Sequence, residues 1–384
     1  MLTCKSSNDR VEITGSGCHL VSGSTWVSDA AASPPRRDAG MVEFSGELRF
    51  VPGSAVRDHL MPDARQGIRA SVVVCVYTEK RLPQIRAALD SIARQTMPPW
   101  QVIVVADHNP ALCGRLAGEY PDLEVISNKF EKGLSGARNT GIEHAAGDVV
   151  VFLDDDARAQ PQWLETLLAS YNDESVLGVG GLVLADWSSP GRPSWLPEEF
   201  LWVVGCSYRG QPEVKAEVRN PIGANMSFRR SAFDQAGLFD SSIGRTFTSS
   251  RPLGCEETEF SIRLRRLSPG ARIIYEPEAV VYHHIEQSRA TWHYFLGRCR
   301  AEGCSKAQVS RLSGAPAALS SERSYVTHTI FQAVLRELGG IFRPGRKDSM
   351  MRLVALSLGT LSAMTGYINE EVRQNVRSLG RNEH

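Results

Sequence analysis

Between residues 70 and 153 the chain repeats one pattern: a short unbroken apolar run, a polar turn, then apolar residues at helical spacing. The runs are Ala70–Val76, Gln101–Ala106, Leu123–Ile126 and Val149–Leu153. Short Val- and Ile-rich runs of this kind read as strands covered on both faces. Leu82, Ile85, Ala88, Leu89 and Ile92 predict a helix over Leu82–Gln95. Further helices are expected over Ala111–Tyr120, Leu134–Ala146 and Pro161–Tyr171. Pro161 suits a helix start, and Gly147 reads as the C-terminal cap of the helix before it. Strands alternating with helices predict a parallel sheet joined by right-handed crossovers. The expected class is therefore α/β: a Rossmann-like, mostly parallel sheet flanked by helices.

Such sheets bind ligands beyond the carboxyl ends of their strands. The polar residues there are Tyr77-Thr78-Glu79, Asp107-His108-Asn109 and Asp154-Asp155-Asp156. Three adjacent carboxylates repel one another where a buried strand emerges. A hard cation such as Mn2+ or Mg2+, shared with a phosphorylated ligand, would relieve that repulsion. Taken alone, the triplet also reads as a solvated turn or helix N-cap. Acidic positions from three strand ends on one rim favour the ligand site.

The second half changes character. Val176–Leu184 reads as a strand, and residues 185–220 as loop with Trp187, Trp195 and Trp202. Those tryptophans suit either ligand stacking or core packing. Asn220–Phe228 precedes a helix over Arg229–Gly237, and Glu256–Leu267 is a helix with an acidic first turn. Arg272–Tyr275 and Ala279–His283 read as short strands, and Ala290–Gly303 as a helix. Gly178-Val179-Gly180-Gly181 lacks the third spaced glycine and the following helix of a dinucleotide site. No P-loop sequence occurs.

Equal numbers of basic and acidic residues, 43 each, give no electrostatic basis for broad nucleic-acid binding. The eight cysteines form no C-x-x-C pair, which disfavours a zinc ribbon and fits a reduced, cytoplasmic setting. Residues 1–40 read as a disordered leader without a secretory core, and 41–69 as an N-terminal extension of the catalytic domain. Residues 311–384 are expected to be helical. Arg323, Arg336, Arg343, Arg346, Lys347 and Arg352 alternate there with Phe331, Val334, Leu335, Leu338, Ile341 and Phe342. This pattern reads either as attachment to the inner face of a membrane or as helices packing on the domain. Leu353–Ile368 is the nearest approach to a spanning segment, diluted by Ser, Thr and Gly.

Residues 70–310 resemble the family 2 inverting glycosyltransferases of bacterial type, which have the GT-A fold. The likeness rests on motifs in order. They are Val72–Tyr77, Asp107, Gly133-Leu134-Ser135-Gly136-Ala137-Arg138-Asn139-Thr140-Gly141, Asp154-Asp155-Asp156, Gly223-Ala224-Asn225-Met226-Ser227-Phe228 and Glu256-Glu257-Thr258-Glu259. Two positions depart from the pattern: Glu257 stands where many members have Asp, and Asn109-Pro110 replaces a D-x-S turn.

The resemblance implies transfer from a nucleotide-diphosphate sugar, UDP-linked by family frequency, to a hydroxyl acceptor. That acceptor would be a glycan, a glycolipid or other lipid-linked species, or a small molecule. It implies Asp156 as direct ligand of Mn2+ or Mg2+, Asp154 at the ribose or a metal-bound water, and His283 (or His284) as third ligand. Tyr77, Glu79, Asp107, Arg138 and Asp155 would line the nucleotide-sugar site, with Arg138 on the diphosphate. Asn225 and Glu256 would face the acceptor, and Glu257, with Glu256 beside it, would supply the base. A nucleotidyltransferase is the alternative enzyme, but Tyr77-Thr78-Glu79 lacks the glycine- and lysine-rich loop it would want. A non-catalytic nucleotide-sugar-binding protein is the remaining alternative.

Overall fold

The structure, a computed structural model, describes residues 67–243, 254–314, 319–342 and 346–381. The expected leader 1–40 and almost all of the extension 41–69 lie outside the described residues.

The repeating pattern folds as read. β1 (Ala70–Val76), β2 (Gln101–Ala106), β3 (Glu124–Ser127) and β4 (Val149–Asp154) alternate with α1 (Leu82–Ala93), α2 (Pro110–Glu119) and α3 (Leu134–His144). These four strands pair with one another in parallel, in the order β3-β2-β1-β4. Pro110 opens α2, where its missing N–H costs nothing, and the Asn109 side chain accepts from Leu112 N at 3.1 Å.

Gly147 has a different task from the expected cap. α3 ends at His144, and its cap residue Ala145 is extended. A side chain at Gly147 would come within 2.7 Å of Ser71 N and 2.8 Å of Arg69 O. Close approach to β1 therefore requires glycine there.

Beyond β4 the sheet becomes mixed. β5 (Ala157–Ala159) leads into α4 (Trp163–Ala169), then β6 (Val176–Trp187), β7 (Ala216–Glu217), β8 (Asn225–Arg229), α5 (Arg230–Ala236), α6 (Glu256–Leu267) and β9 (Arg272–Ile285). β8, expected as a loop, inserts antiparallel between β4 and β6. β9 is one strand rather than two, and its pairing with β6 shifts register between Gly181 and Leu182. The glycine-rich stretch of β6 lets neighbours in: side chains at Gly178 and Gly180 would meet Phe228 at 2.8 Å and Pro221 at 2.4 Å.

Two apolar layers cover the sheet. One holds Val72, Val74, Ile85, Leu89 and Trp163. The other holds Val73, Ile103, Phe152, Phe228, Phe233 and Phe260, with Phe228 and Phe260 edge to face at 4.9 Å. Burying each such side chain contributes about 1.5–3 kcal/mol.

The C-terminal part is helical: α7 (Trp292–Ser313), α8 (Ser320–Ser324), a π-helical stretch (Tyr325–Ile330), α9 (Phe331–Gly340) and α10 (Arg346–Arg381). A third core of Phe200, Val203, Phe295, Ile330 and Leu356 ties these helices to the 3-10 helix Glu198–Val204. Trp195 stacks on Trp292 at 4.2 Å, so it packs in this core rather than against a sugar. Within α10, Arg346–Val376 is long and apolar enough to cross a membrane by length and composition alone.

One face of α10 lies against α7 through small residues. A side chain at Gly303 would meet Ala363 O at 1.9 Å, and one at Gly366 would meet Arg300 O at 2.0 Å. Gly297, also in α7, faces open space. Gly303→Ala and Gly366→Ala should each destabilise the protein by about 1–3 kcal/mol through overpacking. Gly297→Ala should be neutral or stabilising by up to about 1 kcal/mol. Urea unfolding of the three variants checks the contrast.

Candidate active site

The carboxyl ends of β1, β2 and β4 open into a cavity of about 1150 Å³. Asp154, at the tip of β4, is half-buried, whereas Asp155 and Asp156 are buried. Burial of two adjacent carboxylates demands cations close by. The turn Glu79–Arg81 supplies one: Arg81 Nη1 lies 2.7 Å from Asp155 and 3.1 Å from Asp156. Thr78 starts that turn by accepting from Lys80 N at 3.4 Å. β9 and the turn after it supply the others, His283 Nε2 at 3.0 Å and Arg289 at 3.6 Å from Asp156.

The carboxylates diverge in consequence. Burial pushes Asp155 up to about 7 against the pull of Arg81, and its second oxygen has no partner. Burial acts on Asp156 too, but His283, Arg81 and Arg289 hold it well below the usual carboxylate range. Burial opposes the charged form of His283, yet Asp156 overrides it and pushes the imidazole up to about 10. Asp155 thus anchors Arg81.

Asp154, Asp156 and His283 bring one ligand atom each within 4.8 Å of one another. With the proton of His283 Nε2 displaced, two carboxylate oxygens and one imidazole nitrogen fit a cation of the Mn2+ or Mg2+ type. The imidazole is seated from behind. Its Nδ1 lies 3.7 Å from Cys206 Sγ, and a side chain at Gly205, itself at φ 78°, would come within 3.2 Å of Cε1.

Asp107, at the end of β2, shapes a neighbouring turn. Its oxygens accept from Asn128 Nδ2 at 2.7 Å and Gly133 N at 3.1 Å, and it lines the cavity with Tyr77 and Lys132. The Tyr77 ring lies under Arg81 at 5.2 Å. Glu79 departs from expectation: it is exposed in the first turn of its 3-10 helix, and Thr78 and Arg81 line the cavity in its place.

Arg138 is neither a surface residue nor a free diphosphate ligand. Its side chain is only 2% exposed. Nη1 binds Glu256 at 2.9 Å, while Nη2 contacts Gly223 O at 3.1 Å and Asp154 at 3.4 Å. Glu256 is thereby engaged, with its second oxygen buried and unpartnered. Glu257 lines the cavity with no side-chain partner among the described residues. Burial, reinforced by Glu256, pushes its carboxyl up to about 7.

Asn225 corrects the expectation of an acceptor contact. It is fully buried in β8. Its Oδ1 accepts from Trp163 Nε1 at 2.8 Å, and its Nδ2 donates to Ala279 O at 2.8 Å and Leu182 O at 3.1 Å. These bonds join β6, β8, β9 and α4, leaving nothing for a ligand. Sequence reasoning missed Arg81, Arg289 and Cys206. Arg81 and Asp155 are 74 positions apart, so no local pattern announces the pair.

Removing one partner of a buried ion pair leaves the other uncompensated, at a cost of about 3–5 kcal/mol. Arg138→Met should be destabilised on that scale, because Glu256 and Asp154 lose their shared cation. Arg69→Met, which breaks an exposed pair with Asp148, should lose no more than about 1 kcal/mol. Parallel denaturant titrations measure the difference.

A family model, "Glycosyl transferase family 2", matches residues 71–237. The chain is 32% identical over 305 residues to the glucosyl-dolichyl phosphate glucuronosyltransferase of Haloferax volcanii, covering 78% of this chain and 96% of that protein. It is 28% identical to the succinoglycan biosynthesis protein ExoM of Rhizobium meliloti over 60% of this chain and 72% of that one. Among solved structures, a mannosyltransferase of Pyrobaculum calidifontis in complex with GDP-Man and Mn2+ aligns with a TM-score of 0.47 at 19% identity, covering 79% of this chain and 89% of that chain. The sheet, with its parallel first half and helical C-terminal region, is of the GT-A type. From its motifs and its similarity over 96% of the Haloferax enzyme, the chain belongs to glycosyl transferase family 2.

Proposed function

We propose that this glycosyltransferase moves a sugar, with inversion, from a nucleotide-diphosphate sugar to the hydroxyl of a lipid-linked acceptor. The observation that carries the reading is Glu257: a carboxylate with no side-chain partner among the described residues, raised to about 7, in one cavity with Asp154, Asp156 and His283. Glu257 takes the proton of the acceptor hydroxyl. That oxygen attacks the anomeric carbon, and the bond to the nucleoside diphosphate breaks. Asp154, Asp156 and His283 would hold Mn2+ or Mg2+, which when bound acts as a Lewis acid on the departing diphosphate. Arg289, beside Asp156, offers further positive charge to the leaving group. Asp107 and Tyr77, which line the same cavity, would receive the nucleoside.

A base must be ionised to act, so activity should rise with pH through about 7 and then level off. Glu257→Gln should lower kcat by about 10²–10⁴-fold and abolish that rise. Donor binding should survive in Glu257→Gln, and Asp156→Ala should lose Mn2+ affinity. Rate against pH, with calorimetric titration of Mn2+ and of nucleotide sugars, tests the assignment. Full activity in Glu257→Gln would sink it.

We also infer that the C-terminal helices rest on a membrane surface, where a lipid-linked acceptor resides. The name of the Haloferax relative assigns that protein such an acceptor. In this chain Phe331, Leu335, Leu338 and Phe342 are exposed on α9 and just after it. Met350, Val354, Leu358, Leu361 and Ile368 form a similar exposed face on α10. Of the basic residues in this region, Arg336 and Arg352 are occupied by Glu337, while Arg346 and Lys347 are exposed. Wild-type protein should float with vesicles containing anionic lipid. The double variant Leu338→Asp, Phe342→Asp should remain in the soluble fraction.

A further inference from the structure

The cavity continues past Glu257 along α7. Arg298, Glu302 and Lys306 line it at successive turns of the helix. Arg298 Nη2 pairs with Glu302 at 3.0 Å, and Lys306 Nζ lies 3.5 Å from Glu302 and 2.8 Å from Glu322. Arg219 meets Glu322 at 2.6 Å. Arg298, Lys306 and Arg219 thus share Glu302 and Glu322. Arg298 Nη1 is buried without a hydrogen-bond partner. An unpaired guanidinium nitrogen on a side chain that lines a ligand-sized cavity points to an anion that completes it. Gly254 gives the group its room, since a side chain there would meet Arg298 Nη2 at 3.3 Å.

The same cavity is also lined by Tyr325, Ala363 and Tyr367, and by Val326 and Met364, which are 46% and 55% exposed. Met364 shares its helix with the exposed side chains of Leu361 and Ile368. One cavity thus holds the Glu257 carboxylate, the cations of α7 and the exposed side chains of Val326 and Met364.

We propose that Arg298 and Lys306 form a phosphate subsite for an acceptor carried on a single lipid chain, and that the chain leaves between Val326 and Met364. The word acceptor rests on the glycosyl-transfer reading; the subsite does not. A forked guanidinium beside an ammonium suits phosphate oxygens, and a neutral headgroup would leave Arg298 Nη1 unpaired.

Calorimetric titration of the full chain with farnesyl phosphate, farnesol, laurate and inorganic phosphate tests this. Farnesyl phosphate should bind about tenfold or more tightly than each of the others. Arg298→Gln, checked for folding by circular dichroism, should lose about tenfold in farnesyl phosphate affinity and nothing for farnesol. Met364→Asp should weaken farnesyl phosphate and leave inorganic phosphate unchanged. Equal binding of farnesol and farnesyl phosphate overturns the subsite, and laurate binding as tightly overturns the choice of phosphate. If Arg298→Gln fails to fold, unchanged farnesyl phosphate affinity in Met364→Asp overturns the chain route. Failure of the glycosyl-transfer reading would appear separately, as wild-type protein that binds no nucleotide sugar yet still binds farnesyl phosphate.

Discussion

A single buried guanidinium holds the two sides of the site together. Arg138 projects from α3, in the parallel half of the sheet, and reaches Glu256 at the start of α6, in the other half. On the way it touches Asp154 at the tip of β4 and the carbonyl of Gly223. Its apolar surroundings, with Phe152 and Phe239 beneath the guanidinium, raise the energy of any unpaired charge there. The carboxylates must therefore converge on the arginine. That convergence leaves Glu257 beside an engaged Glu256, and the uneven division of charge separates two chemically identical neighbours.

The same logic divides the aspartate triplet. Asp156 receives three cationic partners, His283, Arg81 and Arg289. Asp155 receives Arg81 on one oxygen and nothing on the other. Asp154 stays open to the cavity. A sequence of three identical residues thus contains an anchor for Arg81, a buried anion and a half-buried carboxylate facing the cavity. Only the surroundings tell them apart.

Much of this was legible beforehand. The parallel half of the sheet follows from unbroken apolar runs and helical spacing, signals that are local and repeated. The acidic rim follows from where those runs stop. Other features were hidden for physical reasons. β8 is five residues long and buried almost throughout, so it shows no alternation to read. Asn225 looked like a ligand-facing residue within a motif, yet its amide holds three strands and a helix in register. Gly147 looked like a helix cap because glycine serves both caps and close contacts, and sequence does not separate the two uses. Arg81 and Cys206 matter through partners 74 and 77 positions away.

The register shift in β9 carries one more consequence. Pro277, Glu278 and Ala279 have no partners on β6, whose Gly181 and Leu182 pair with Glu276 and Val280. Side chains alternate along a strand, so an odd number of extra residues reverses which of them face inward. Two histidines stand side by side just beyond this point. With the three extra residues, His283 turns toward Asp156 and His284 toward Ser188. The choice of imidazole at the centre is thus made several residues upstream, by the parity of a bulge that touches neither histidine.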